Sequence, residues 1–128
     1  MTDLKNRIQK SPAPATQVMQ LVAECLRSTE ITHIYHFETS SFAQHKAFED
    51  FYEIIPGLAD TLCEAYFGKY GKSPIPEPKL KKTSDPLIYC GALCSMSESV
   101  ACCPNIDNIV QEITTAVDSL IYKLKNLS

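Results

Sequence analysis

The chain has no apolar run approaching the roughly 20 residues that a membrane-spanning helix requires, and it contains no internal repeat. Glycine is scarce, with four in 128 residues, and the balance of 45% hydrophobic and 21% charged residues is that of an ordinary folded protein. Membrane spans, repeat arrays and low-complexity polymers are therefore excluded as readings. The net charge of −3 creates no global field toward nucleic acid. Residues 1–15 are polar and lack the apolar centre of a signal peptide, so a cytoplasmic protein is expected. In such a reducing compartment Cys25, Cys63, Cys90, Cys94, Cys102 and Cys103 are expected to be thiols and not a disulfide framework.

What remains is a chain the size of one domain. Residues 1–15 read as a flexible arm broken by Pro12 and Pro14, and residues 16–128 as a single helical bundle. Val18, Leu21, Val22, Cys25, Leu26 and Thr29 predict a first helix from Thr16 to Phe37, with His33 and His36 continuing its apolar stripe and Glu30 at the edge. Ser41 with Gln44 forms a capping-box pattern ahead of a second helix, Phe42 to Tyr70. Its apolar arc of Phe48, Phe51, Ile55, Leu58, Leu62 and Tyr66 faces away from a polar stripe of His45, Glu49, Glu53, Asp60 and Glu64, and Pro56-Gly57 is expected to kink it.

Four prolines force a loop over residues 72–86. A short or irregular third helix is expected from Pro86 to about Val100, and a clear fourth from Pro104 to Leu127. The fold class is all-α, a four-helix bundle with one long crossover. Aromatic residues outside the arc, at Phe42, Tyr52 and Phe67, point to a homo-oligomer, at least a dimer. Lys69, Lys72, Lys79, Lys81 and Lys82 make the 69–82 loop the one place where nucleic acid could bind. The vicinal Cys102–Cys103 pair cannot easily chelate one ion and nothing basic lies nearby in sequence, so Cys90, Cys94, Cys102 and Cys103 are expected to be structural thiols.

Imidazole and carboxylate side chains carry the chemistry. His33, His45, Asp60 and Glu64 stand as H-x11-H-x14-D-x3-E, and such donors suit iron, zinc or manganese. Glu30-x-x-His33, with Asp60 or Glu64, is an alternative set within one bundle, and His36 competes with His33 for the first position.

The H-x11-H-x14-D-x3-E spacing resembles the ferroxidase signature of the Dps branch of the ferritin-like family. That resemblance implies a di-iron site across a dimer interface, with histidines from one chain and carboxylates from the other, oxidising Fe(II). The His36-Phe37 pair resembles the His-Trp pair of the same proteins. A second resemblance rests on H-I-Y-H-F, S-F-A-Q-H-K-A-F-E-D-F-Y, D-x-L-x-E-A-Y-F-G-K-Y-G-K and the closing I-V-Q-E-I…L-I-Y-K-L-K-N-L. These segments are similar to a family of uncharacterised phage- and giant-virus-encoded small helical proteins. It implies a viral protein acting in host cytoplasm, with a metal-free oligomer binding a host factor or small ligand as the alternative function.

Overall fold

Each of the four expected segments forms a helix in the computed structural model, which describes residues 15–128: α1 Ala15–Glu38, α2 Phe42–Tyr70, α3 Pro86–Ser99 and α4 Pro104–Asn126. The arm expected over residues 1–15 lies outside the described residues except for Ala15, which opens α1. Pro86 and Pro104 sit at first-turn positions, where a missing N–H costs nothing. Asp85 caps α3 by accepting the N–H of Leu87 at 2.9 Å.

Helix α1 packs on α2, α2 on α4 and α4 on α3, and a lighter α3–α1 contact closes the ring. The α4 seam of Ile106, Val110, Ile113, Val117, Leu120 and Leu124 is wholly buried, each side chain contributing about 1.5–3 kcal/mol of apolar burial. The phase of α2 survives Pro56: Ile55, Ala59, Leu62 and Tyr66 stay buried along one continuous helix.

Leu26 departs from the expected stripe and is 44% exposed, and His33 is exposed as well. The seam of α1 follows a seven-residue repeat, Val18–Cys25–Thr32 and Leu21–Ser28–Tyr35, all buried. Leu26 and His33, themselves seven apart, are exposed in the later turns of α1, whereas Met19, seven residues before Leu26, is fully buried. The buried Ser28 and Thr32 hydroxyls satisfy themselves on the carbonyls of Cys25 (2.7 Å) and Ser28 (2.6 Å).

The crossover 71–85 is a strap along α1. Glu24, fully buried, accepts the backbone N–H groups of Lys79 (2.7 Å) and Leu80 (3.1 Å) and an amide N–H of Gln20 (2.7 Å). Further up α1, the Tyr35 hydroxyl accepts the N–H of Thr83 at 3.1 Å, and Lys82 pairs with Glu38 at 2.9 Å. The strap thus climbs from the lower half of α1 to its C-terminal end, and α3 starts at the top beside Tyr35. The helices run up, down, down, up.

Among the described residues, no helix is long and apolar enough to cross a membrane.

Candidate metal centre

Three residues, Thr39 to Ser41, reverse the chain between α1 and α2 and place the last turn of one against the first turn of the other. Ser41 is the N-cap, its hydroxyl accepting the N–H of Gln44 at 3.2 Å. The return half of the expected capping box is supplied from elsewhere, because Thr39 Oγ1 accepts the N–H of Ser41 at 3.2 Å. This tight corner brings His36 and His45 together, nine residues apart and on different helices.

The two imidazoles stack with centroids 3.5 Å apart and planes 24° from parallel. His36 Nδ1 lies 2.8 Å from the His45 carbonyl oxygen, and His45 Nδ1 lies 2.8 Å from the His36 carbonyl oxygen. A carbonyl can only accept, so both Nδ1 atoms carry hydrogen. That places the lone pair of each neutral ring on Nε2, the atom available to a metal.

Glu49 follows His45 by one helical turn, on the same face of α2. Ligand atoms of His36, His45 and Glu49 all lie within 4.8 Å of one another. Lys46 bonds the Glu49 carboxylate at 3.0 Å and Asp50 at 3.4 Å. The Lys46 hydrogen bond and then its charge hold Glu49 below the ordinary carboxylate range, with a smaller contribution from the two histidines. His36 is buried and His45 half-buried, so the centre is shielded on the protein side and open on the other.

Aromatic rings surround the pair. Tyr52 meets His36 edge-on at 5.4 Å, and His33 stacks between Tyr52 (4.3 Å) and Phe37 (4.9 Å). His33 is therefore beside the centre, 5.8 Å from His36 ring to ring. Glu30 is exposed one turn before it. Asp60 and Glu64 are exposed on α2, about 22 and 28 Å along the axis from His45 at 1.5 Å per residue. Within one chain they cannot share an ion with either histidine of the pair. Glu49 lies on the expected polar stripe, and its i,i+4 spacing to His45 is the sequence signal that selects it. His36 joins His45 through the turn, which no periodicity reveals.

Five of the six cysteines fall into two groups, Cys63 standing apart on α2. Burial pushes the Cys25, Cys90 and Cys94 thiols up to about 12, and Cys94 also donates to Asp118 at 3.2 Å. Cys102 and Cys103 are half-buried, and although nothing basic lies near them in sequence, the fold brings a cation to them. The Lys69 ammonium sits 3.2 Å from Cys103 Sγ, brought there by the packing of α2 against the start of α4. Of the loop's other lysines, Lys82 is spent on Glu38 and on the Tyr35 ring, 4.9 Å away.

A model of a family of unknown function (DUF5856) matches residues 36–124, a span that holds His36, His45, Glu49, Asp60 and Glu64 but neither Glu30 nor His33. An uncharacterised 14.6 kDa protein of Enterobacteria phage T4, from the mobD-ri intergenic region, is 31% identical over 99 residues, 74% of each chain. No solved structure matches.

Proposed function

The chain belongs to this family of unknown function, and from that premise we propose that it binds a divalent transition-metal ion through His36 Nε2, His45 Nε2 and a Glu49 carboxylate oxygen. The reciprocal Nδ1–carbonyl bonds carry the reading. Metal-binding histidines characteristically donate their other ring N–H to a carbonyl or carboxylate, which fixes tautomer and orientation in advance. Ligand atoms about 2.1 Å from one ion span at most about 4.2 Å. The three residues already offer ligand atoms within 4.8 Å of one another, and metal binding would turn the stacked rings so that both Nε2 atoms face the ion. Lys46 occupies Glu49 in the structure and would be displaced to its second partner, Asp50.

Two imidazoles and one carboxylate leave coordination positions open, the pattern of non-haem Fe(II) sites; zinc and manganese are the competing ions. A bound iron would supply electron exchange with oxygen or peroxide. The up-down-down-up course with one long crossover is the connectivity of ferritin-like folds, and it supports extending the proposal to Fe(II) oxidation. In that extension a second copy supplies Asp60 and Glu64, and the exposed Phe37 (72%) and Phe42 (81%) beside the centre meet the partner subunit.

Elemental analysis of protein purified from iron- and zinc-supplemented medium tests the proposal. About one ion per chain is expected, lost in His45→Ala and in Glu49→Ala. Substoichiometric metal, with a melting temperature indifferent to added ions, would favour the second reading. That reading is a metal-free oligomer that binds a host factor, supported by the open groove between α2 and α4. Ile54, Leu58, Thr61, Gln111, Thr115 and Ala116 are among the residues lining that groove of about 940 Å³.

A further inference from the structure

At the opposite end of the bundle from the histidine corner, Cys103 is the N-cap of α4, in extended backbone, with Pro104 following. Two donors lie against its sulfur, the Lys69 ammonium at 3.2 Å and the Cys102 thiol at 3.8 Å. The Tyr70 hydroxyl lies 3.9 Å from Cys102. One acceptor is present, Asn105 Oδ1 at 3.4 Å, and it also holds Lys69 at 3.1 Å, fixing the ammonium over the sulfur. Asp107, the nearest acid, is turned to the Cys102 N–H at 2.7 Å. Lys69 and Tyr70 come from the last turn of α2, so the cluster forms only in the folded chain.

We propose that Cys103 is a nucleophilic thiolate that exchanges with small-molecule disulfides, with Lys69 as its positioning residue. The assignment is independent of the metal reading. Burial alone would raise the Cys103 pKa, but the polar surroundings, the Tyr70 side chain first and Lys69 and Cys102 with it, outweigh it and hold the thiol below its ordinary value. Cys102 is raised to about 11, chiefly by burial, and stays protonated. The two neighbours therefore have separate roles, one as nucleophile and one as S–H donor.

In the reaction, the Cys103 thiolate attacks one sulfur of R–S–S–R. The new S–S bond forms as the old one breaks, and RS⁻ leaves with the electron pair and takes a proton from water. Cys103 is oxidised to a mixed disulfide and half of the small disulfide is reduced to a thiol. Ring closure to Cys102 is disfavoured, because adjacent Cα atoms lie about 3.8 Å apart and disulfides span about 4.4–6.8 Å. The mixed disulfide is the stable product.

The test treats the full chain at pH 7 with glutathione disulfide and follows intact mass and peptide mapping under non-reducing conditions. One glutathionyl group should appear first on Cys103. Lys69→Gln should slow the addition about threefold or more, as expected when a thiolate loses its cation, and Lys69→Arg should restore most of the rate. Cys102→Ser should still be modified at Cys103. First modification at Cys63 or Cys102, or a Lys69→Gln protein with unchanged helical circular dichroism and an unchanged rate, would overturn the proposal. So would a rate no faster than that of the same cysteine in urea-unfolded chain.

Discussion

His36 and His45 each donate their ring Nδ1–H to the other's backbone carbonyl at 2.8 Å, joining the end of α1 to the start of α2 twice over. Removing either ring strips one bond directly and leaves its own carbonyl facing a ring with nothing to stack on. The two substitutions should therefore not add. His36→Ala and His45→Ala should each destabilise by about 1–3 kcal/mol. The double variant should fall short of the sum by about 0.5 kcal/mol or more, the range of coupling for residues in contact. Urea unfolding of the four proteins measures this; additivity would mean the rings act separately.

The strap depends on Glu24. Glu24→Ala leaves the buried side of two backbone N–H groups, at Lys79 and Leu80, without an acceptor. Stability should drop by about 1–3 kcal/mol for each group stranded and not rescued by water. Amide hydrogen exchange should accelerate at Lys79 and Leu80 before it does along α4. Equal protection of those amides in the variant would show that the strap is held by its other contacts.

Tyr89 has the reverse problem. Its hydroxyl is buried and has no hydrogen-bond partner among the described residues, and burial drives its pKa far upward. Tyr89→Phe removes an unsatisfied polar atom without changing the ring that packs beside Tyr35. The melting temperature should stay level or rise, by up to about 1 kcal/mol in stability. A clear loss would reveal a partner for the hydroxyl.

Much of this was legible in the chain, and the reasons are local. Helix ends followed from Ser41 and the four loop prolines, Pro86 among them, and the α4 seam from steps of three and four. The exposure of Leu26 and His33 depends on which neighbours cover that face of α1 and not on phase, since Met19, seven residues before Leu26, is fully buried. Glu24 as a buried acceptor was invisible, since its partners are backbone groups 55 and 56 residues away. The phage affinity read from the H-I-Y-H-F and S-F-A-Q-H segments agrees with the phage T4 relative. The pairing of His36 with His45 needed the corner geometry, and the Lys69–Cys103 contact needed the packing of α2 on α4.

Alkaline pH should destabilise the protein through its buried thiols. Cys25 and Cys90 are raised from 9.0 to about 12, mainly by burial, with smaller contributions from Glu24 and Asp85 respectively. The folded pKa is the higher one, so the stabilisation is complete below pH 9, where both states keep the proton. From pH 9 to about 12 the unfolded chain releases protons that the folded chain retains, and stability falls. The urea midpoint should decline over that window, and the decline should flatten in Cys25→Ala and Cys90→Ala. An unchanged slope in both variants would assign the loss to other groups.

The most direct measurement is a long-range proton–nitrogen correlation spectrum of the protein labelled at histidine nitrogen, recorded with and without Zn(II). Without metal, His36 and His45 should both show the Nδ1–H tautomer that their carbonyl partners require. One equivalent of Zn(II) should shift the Nε2 resonances of those two rings together and leave His33 in place. A shift at His33 alone, or no shift at either paired ring at millimolar Zn(II), would contradict the metal centre.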